Sequence, residues 1–453
     1  MASSAKSTAW NMTEGAPSSL LLRFSIPLLI GNLFQQFYSL VDSVVIGRFV
    51  GENELGGIGC TGSIDFLIFS IGYGMSADIG ILVATMFGAG EKERLTKAIY
   101  NCAYVLLGAA ALITLIGFFG APAILTLMRT PENLYPHALL YMRVVALGST
   151  GNLFYGGISA VMRSFGDSKT PLLILLLSCV INICLDLLLV LVFHMGVLGV
   201  ALATLIATVI SAVVSYLAAR RTLPLFRYRK GAFKPDKGLI GRCIRLGMPL
   251  AGQNMLIALS CMALQFVVNG FGDVLVTANT AVSKIEQLVQ QPFSSLATAL
   301  SAYTGQNIGA RRGDRVKQGL RAGIRYAAVV SLVMLAVMQF GGKYILGIFV
   351  TDPEIIRVGV MGLRITSWFY IFLGLLYVVR GVLNGAGDAV YSAINGIIEL
   401  VCRFSLAAPL AAIPFIGQKG VFLCTGMTWT ITGVISLIRY LRGNWKKRLG
   451  APE

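Results

Sequence analysis

Four polar side chains interrupt the apolar stretches of this 453-residue chain. Asp42, Asp186 and Thr204 lie in three separate stretches, and Asn182 precedes Asp186 by four residues, so that these two share one face of a helix. Carboxylate, amide and hydroxyl oxygens are ligands of hard cations, and a carboxylate in apolar surroundings can also exchange a proton. The pattern indicates a cation or proton site, or else hydrogen bonds that only pack helices and carry no ion.

The elements that must hold these residues are membrane-spanning helices, since about 20 mostly apolar residues suffice to cross a bilayer. The sequence predicts twelve of them, at 24–46, 58–86, 98–119, 137–162, 171–193, 196–218, 247–270, 278–308, 322–345, 360–383, 390–413 and 417–438. With a rise of about 1.5 Å per residue, Asp42, Asp186 and Thr204 fall at similar depth from three helices. Tyr38 shares the helix face of Asp42, being one turn before it.

Composition excludes a soluble protein. Hydrophobic residues make up 56% of the chain, charged residues only 13%, and the mean hydropathy is +0.77, whereas soluble domains carry about 25% charged residues. The eight cysteines form no CxxC pair, which argues against a disulfide framework or a cysteine metal site. A GxxxxGK[ST] phosphate loop is absent from the sequence, so ATP hydrolysis is not expected to supply the energy. We predict a secondary transporter driven by H⁺ or Na⁺, which is not an enzyme and uses no cofactor.

The basic residues predict the orientation. The net charge is +17, and 28 of the 37 Lys and Arg fall in segments on the same side of the membrane as the amino terminus. Positively charged loops favour the cytoplasm, so both termini are predicted to be cytoplasmic. Basic loops then face anionic membrane lipid. Nucleic-acid binding is the rival explanation of the charge, and we disfavour it.

An internal repeat divides the chain. Arg23-Phe-Ser-Ile-Pro27 resembles Arg245-Leu-Gly-Met-Pro249 at an offset of 222, and Gly166-Asp167 resembles Gly387-Asp388 at 221. Each repeat has six spans, so both halves run through the membrane in the same direction. The sequence predicts an all-α polytopic monomer with a six-helix lobe at 1–219, a basic cytoplasmic linker at 220–244 and a second lobe at 245–453. Two such bundles around a central cavity suit alternating access.

Two further acidic residues are related by this repeat, because Asp65 falls opposite Glu286. Both could face the cavity and act in transport, or could serve packing alone. Glu399 and Arg403 are spaced i, i+4 and are interpreted as a structural ion pair.

The repeat also shows which residues of the second half stand at the positions equivalent to the proposed ion site. Asn182 corresponds to Arg403, Asp186 to Ala407 and Asp42 to Leu264, while Thr204 keeps a threonine, Thr425. A permanently charged Arg would repel a cation. The sequence therefore predicts ion coupling in the amino-terminal half alone.

Several segments resemble the multidrug and toxic compound extrusion (MATE) family of prokaryotes. They are Ile26-Pro27, Gly88-Ala-Gly90, Gly309-Ala310 and Arg163-Ser-Phe-Gly-Asp167, within a similar layout of six plus six spans. The resemblance implies a cation site in the amino-terminal lobe at positions that match Asp42, Asn182, Asp186 and Thr204, with tyrosines matching Tyr38 and Tyr141. One asparagine of the family's site is Ser159 here.

The resemblance also implies the activity. It predicts an antiporter of the prokaryotic plasma membrane that exports small organic, often cationic and amphipathic compounds in exchange for H⁺ or Na⁺. The helix-1 proline of the family matches Pro27, which could bend its helix when Asp42 is protonated or could form a static kink. A flippase for a lipid-linked sugar, and a membrane scaffold or sensor that transports nothing, are the alternatives.

Overall fold

The structure is a computed structural model that describes residues 11–128, 130–226, 231 and 233–449. Only the backbone is described at 40, 42–44, 47, 48, 52, 53, 55, 60, 63, 92, 444, 447 and 448. The described part is helical and has no strand. This confirms the all-α fold class, and it is the arrangement expected in lipid, because a helix pairs its backbone N–H and C=O groups internally.

The described helices follow one another with short connections. Those of the first half are α1 (Pro17–Phe49), α2 (Glu52–Ala89), α3 (Lys92–Phe119), α4 (Ala121–Leu127), α5 (Tyr135–Ser164), α6 (Lys169–Leu187), which continues into a π-helical turn (Leu188–Val192), and α7 (Gly196–Thr222). Those of the second half are α8 (Lys237–Asn269), α9 (Asp273–Gly309), α10 (Gly313–Gly347), α11 (Pro353–Ser367), α12 (Tyr370–Gly385), α13 (Ala389–Ala412) and α14 (Lys419–Leu441). Short 3₁₀ segments occur at Pro224–Phe226 and Asn444–Leu449.

The helices agree with the predicted spans. In the described part of the chain, ten helices are long and apolar enough to cross a membrane, and α11 with α12, bent by 54°, makes an eleventh span. The remaining long helix, α9, has 37 residues. It is long enough to span but less apolar, since it carries polar residues such as Asn279, Glu286 and Gln290. Together these are the twelve spans expected from the sequence.

The chain forms two compact units. The first unit comprises Ile26–Ala251 with the described residues up to Met12, and the second comprises Thr13–Ser25 with the residues from Gly252 onward. The boundaries therefore fall inside α1 and α8, next to Pro27 and Pro249. The first part of each of these two helices is thus grouped with a different unit from the remainder of the same helix.

The described part of the segment predicted as a linker packs on α3 in the first unit. The side chain of Asn101 accepts a hydrogen bond from the Asp236 backbone N–H (2.7 Å) and donates one to the Lys234 carbonyl (3.3 Å). The Tyr104 hydroxyl donates to the carbonyl of Phe233 (2.8 Å). These bonds fix the chain just before α8 begins.

The repeated Gly-Asp pairs have a structural reason. Gly166 and Gly387 adopt φ angles of 84° and 72°, a conformation that costs glycine little. Asp167 then accepts hydrogen bonds from two backbone N–H groups at the start of α6, and Asp388 accepts one from Tyr391 at the start of α13. Each pair ends one helix and caps the next, since a helix leaves its first N–H groups without internal partners.

Close packing of α12 on α9 depends on two glycines one turn apart. A Cβ added at Gly381 would lie 2.5 Å from the carbonyl oxygen of Ala297, and one at Gly385 would lie 2.7 Å from the Cα of Ser301. The spacing is that of the small-residue motif that lets membrane helices approach closely. We expect Gly385→Ala to destabilise the protein by about 1–3 kcal/mol, as overpacking does, and to lower its unfolding temperature in detergent.

Gly108→Ala on α3 is the matched control. No atom lies within 4 Å of a Cβ added there, and alanine is favoured over glycine inside a helix by about 1 kcal/mol. The control should be as stable as the original protein or more so. Equal unfolding temperatures for the two variants would contradict the packing argument.

Candidate functional site

The centre of the candidate site is one face of α6. Asn182 and Asp186 are one turn apart and are 2% and 0% exposed. The amide nitrogen and oxygen of Asn182 have no hydrogen-bond partner among the described residues. A buried amide without a hydrogen-bond partner is unfavourable unless a bound ion, water or ligand pairs with it. This face of α6 is therefore chemically suited to receive a ligand.

Helix α1 runs alongside α6 in the same direction. Near one end, a Cβ added at Gly31 would lie 3.2 Å from the side chain of Leu175. Near the other end, Val45 and Ile46 share a buried hydrophobic cluster with Val190 of the π-helical turn. Asp42 follows Gly31 by eleven residues, and Asp186 follows Leu175 by eleven. The backbones at Asp42 and Asp186 therefore lie at the same level, because each residue advances both helices equally.

Helix α7 joins the same cluster through Val200, which is 1% exposed and one turn before Thr204. Thr204 is half-buried, and its carbonyl accepts a hydrogen bond from the Thr208 hydroxyl (2.9 Å). The cluster thus brings α1, α6 and α7 together within about one turn of Asp42, Asp186 and Thr204. The side chain of Asp42 itself lies outside the described residues.

The π-helical turn at Leu188–Val192 was not predicted from the sequence. It begins directly after α6 and two residues after Asp186. Single π-helical turns inside helices are frequent at functional sites. The apolar run Leu-Leu-Val-Leu-Val gives no signal of it in the sequence, because hydrophobic periodicity does not distinguish an α from a π turn.

The other residues assigned to the site lie on α1 and α5. Tyr38 and Tyr141 are half-buried, and Ser159, which replaces the family's asparagine, is 1% exposed. Pro27 is buried inside α1 and lies two residues after the unit boundary at Ser25.

The two acids related by the repeat fall in different units. Asp65 is half-buried on α2 in the first unit. Glu286 is 8% exposed on α9 in the second unit, and one of its carboxylate oxygens has no hydrogen-bond partner among the described residues. Neither acid belongs to the face of α6.

In the second unit, the ion pair differs from the one that the sequence predicts. Glu399 forms its salt bridge with Arg380 of the neighbouring helix α12. Arg403, one turn further along α13, donates to the hydroxyl of Ser260 (2.7 Å) and to the sulfur of Cys261 (2.9 Å). The i, i+4 spacing permits a Glu399–Arg403 pair, but Arg380 reaches the carboxylate from the next helix and Arg403 is directed to α8.

Polar side chains one turn from Arg380 and from Glu399 form a network that sequence analysis missed. Asn395 of α13 accepts a hydrogen bond from Gln253 of α8, and Asn384 of α12 bonds both Gln253 (3.4 Å) and Ser392 (3.0 Å). The signal was present in the sequence. Ser392 and Asn395 precede Glu399 and Arg403 at helical spacing, which marks a polar face on α13.

Oxygen atoms are the donors that the candidate site offers, and these are the ligands of hard cations. No group of three or more His, Cys, Asp and Glu side chains in the described part of the chain is arranged to hold a metal ion. The donors on and beside α6 are carboxylate, amide and hydroxyl oxygens.

Comparison with known proteins identifies the family. The MatE profile matches residues 27–188 and 249–408. The chain belongs to the MatE family. The two matches begin 222 residues apart, which is the offset of the internal repeat. Curated relatives are named as multidrug resistance proteins and solved ones as MATE transporters, so the predictions of the family, of a multidrug efflux transporter and of a protein that is not an enzyme are confirmed.

Curated and solved relatives agree over nearly the whole chain. The chain is similar to the probable multidrug resistance protein YpnP of Bacillus subtilis, with 29% identity over 97% of this chain and 98% of that one. It also resembles the solved MOP superfamily transporter from Pyrococcus furiosus, with 21% identity, a TM-score of 0.90 and 98% of each chain covered. A MATE transporter solved in an outward-facing conformation matches with the same TM-score, identity and coverage. Solved MATE transporters have twelve helices in two bundles, which confirms the predicted fold class.

Proposed function

We propose that this MatE protein is a secondary antiporter that exports amphipathic, often cationic organic compounds in exchange for H⁺ or Na⁺. The observation that carries the proposal is the face of α6, where Asn182 and Asp186 are buried at the level at which α1 and α7 meet. Ionisable groups inside a membrane are costly and therefore rare, and they mark ion pathways. The multidrug resistance named for the relative YpnP supports an organic substrate.

In this proposal, Asp42 and Asp186 bind the coupling ion, together with the oxygens of Asn182 and Thr204. Tyr38 and Tyr141 lie on neighbouring helices and shape the site. Proton or cation binding at Asp42 and Asp186 changes the charge of the first unit. The bend of α1 at Pro27 responds to this charge, since a proline removes one backbone hydrogen bond and so makes bending easier.

The second unit has a different part in the proposal. Asp65 and Glu286 act as cavity acids in their respective units, and the unpartnered oxygen of Glu286 is consistent with this. Glu399 and Arg380 are a structural pair. Ion coupling itself remains in the amino-terminal half, because the repeat puts Arg403 where Asn182 stands in the first half.

The cellular setting completes the proposal. The protein is a multi-pass membrane protein. We assign it to the prokaryotic plasma membrane as a monomer with both termini in the cytoplasm, because most Lys and Arg lie on the side of the termini. Anionic lipid contacts those basic segments. The comparisons give no support to the alternative function, a flippase for lipid-linked sugars.

We expect protons, not sodium ions, to drive transport. Two carboxylates close together in a low dielectric retain one proton more tightly than either does alone, which makes a usable proton switch. The test uses the purified protein in sodium-free vesicles that carry a fluorescent organic cation. A pH gradient should drive dye movement without sodium. Dye movement only under a sodium gradient would favour sodium coupling through the same oxygens.

The repeat provides a matched control for the site. Thr204→Ala removes a proposed ligand, whereas Thr425→Ala makes the same change at the equivalent position of the second half. We expect the first variant to need a steeper ion gradient for the same dye flux and the second to behave like the original protein. Identical behaviour of the two variants would argue against a role for Thr204 in coupling.

A further inference from the structure

A second buried acid in the first unit has no part in the site on α6. Asp78 of α2 is 1% exposed, and neither of its carboxylate oxygens has a hydrogen-bond partner among the described residues. A carboxylate buried without a partner is among the most unfavourable groups in a protein. Such a residue persists either because it is held as the neutral acid or because the surrounding structure opens.

The surroundings of Asp78 are a tight contact between α2 and the first part of α8. A Cβ added at Gly247 would lie 2.6 Å from the sulfur of Met75 and 3.5 Å from the Cβ of Asp78. One turn further on, a Cβ added at Gly74 would lie 2.5 Å from the Cα of Ala251. The two helices therefore approach each other closely at Gly74 and at Gly247, and the contact at Gly247 lies directly beside Asp78.

The groups that face Asp78 do not neutralise a negative charge. The titratable side chains that interact with it are the thiols of Cys243 on α8 and Cys102 on α3, whose sulfur atoms are 3.5 Å apart. Arg242 acts on Cys243. In the part of the chain that the structure describes, no Lys, Arg or His pairs with Asp78. Ionisation of Asp78 would add an unpaired charge to an apolar contact.

We infer that Asp78 is a second proton-binding site, and that its proton holds the first part of α8 against α2. The neutral acid fits the closed contact, whereas the carboxylate needs water and therefore favours separation of the two helices. By linkage, the closed contact is favoured at low pH and weakens as the pH rises. This inference goes beyond the coupling site and holds whether Asp186 exchanges protons or binds sodium.

The consequence is a proton-dependent contact between α2 and the first part of α8, which we call the latch, within the first unit. Asn101 and Tyr104 fix the chain just before α8, and the contact at Asp78 fixes the helix itself. Loss of the proton from Asp78 would release the contact between α2 and α8 but would leave the hydrogen bonds of Asn101 and Tyr104 intact. The first part of α8 could then move about a fixed starting point, so that proton occupancy on α2 sets the position of the helix on which the second half begins.

The test measures how well Cys243 is protected, since its side chain is 1% exposed beside Asp78. The full-length protein in vesicles is treated with N-ethylmaleimide from mildly acidic to mildly alkaline pH, and modification of each cysteine is measured by mass spectrometry of its peptide. We expect labelling of Cys243, relative to the same cysteine in the denatured protein at the same pH, to rise with pH by up to about tenfold per pH unit, the limit for one linked proton. In Asp78→Asn, this relative labelling should stay low at every pH.

The controls separate the latch from a general loosening. Asp273→Asn makes the same change at an exposed position in the first turn of α9 and should keep the pH dependence of the original protein. If Asp78→Asn does not fold, Asp78→Leu replaces it, because an apolar side chain suits the closed contact. A similar pH dependence of Cys243 labelling in the original protein and in the Asp78 variant would overturn the inference.

An infrared measurement tests the protonation state directly. The difference spectrum between the original protein and the Asp78 variant at mildly acidic pH should contain the C=O band of a carboxylic acid. Bands of an ionised carboxylate in its place would overturn the inference as well, since the closed contact would then hold the charged form.

Discussion

Replacing Asp186 with asparagine is expected to stop ion-driven export without unfolding the protein. Asp186 is 0% exposed on α6, so a side chain of nearly the same size and shape preserves its packing. The amide cannot exchange a proton, and it binds a cation more weakly than a carboxylate does. We expect dye export under an imposed gradient to fall by about tenfold or more, in the range that coupling free energies of about 1–3 kcal/mol produce.

The measurement compares variants that reach the membrane in equal amounts. Asp42→Asn should lose coupling to a similar extent. Asp273→Asn makes the same chemical change at an exposed position in the first turn of α9 and should export dye normally. Full export by both the Asp186 and the Asp42 variants at normal expression would reject the site.

A measurement of dye binding without any ion gradient distinguishes a role of Asp186 in coupling from a role in substrate binding. If Asp186 couples the ion, the variant should still bind the dye and should lose only the response to the gradient. Loss of dye binding itself would instead make Asp186 part of the substrate site.

The second large effect is expected on stability and not on coupling. Glu399→Gln leaves the guanidinium of Arg380, which is 15% exposed, without its partner. Breaking a buried ion pair in this way costs about 3–5 kcal/mol. We expect a marked fall in expression and in the unfolding temperature in detergent, while the protein that does fold should export dye in response to the gradient.

A double variant separates the pair from its neighbours. Replacing both members with apolar residues, Arg380→Met with Glu399→Leu, removes the stranded charge and should recover most of the lost stability, since such replacements are often neutral or stabilising. The exposed pair of Arg357 and Glu354 on α11 is the control. Glu354→Gln should cost less than about 1 kcal/mol, because water screens an exposed pair.

Transport by the double variant also tests where coupling takes place. A well-folded double variant that cannot exchange ion for drug would mean that the carboxyl-terminal half takes part in coupling. In that case the restriction of coupling to the first half would be wrong.

The sequence by itself determined the membrane class, the helices and the repeat. The reason is that these features depend on local chemistry: about 20 apolar residues are a span wherever they occur. It also determined that Asn182 and Asp186 share a face, because a spacing of four residues is one turn of any helix. The Gly-Asp pairs at 166–167 and 387–388 were visible as a repeat for the same reason, since their capping role is local.

Only the tertiary structure decided which side chains meet across helices. Glu399 could pair with Arg403 or with Arg380. The sequence favours Arg403 because the i, i+4 spacing is visible along the chain, whereas the approach of Arg380 from another helix is not. The chain positions of Gly247 and Asp78 are far apart, so nothing in the sequence indicates that α8 packs on α2 beside an acid without a partner. The level shared by Asp42 and Asp186 likewise depends on the register of α1 against α6. That register is set by the contact of Gly31 with Leu175 and by the cluster around Val190, which form only when the helices pack together.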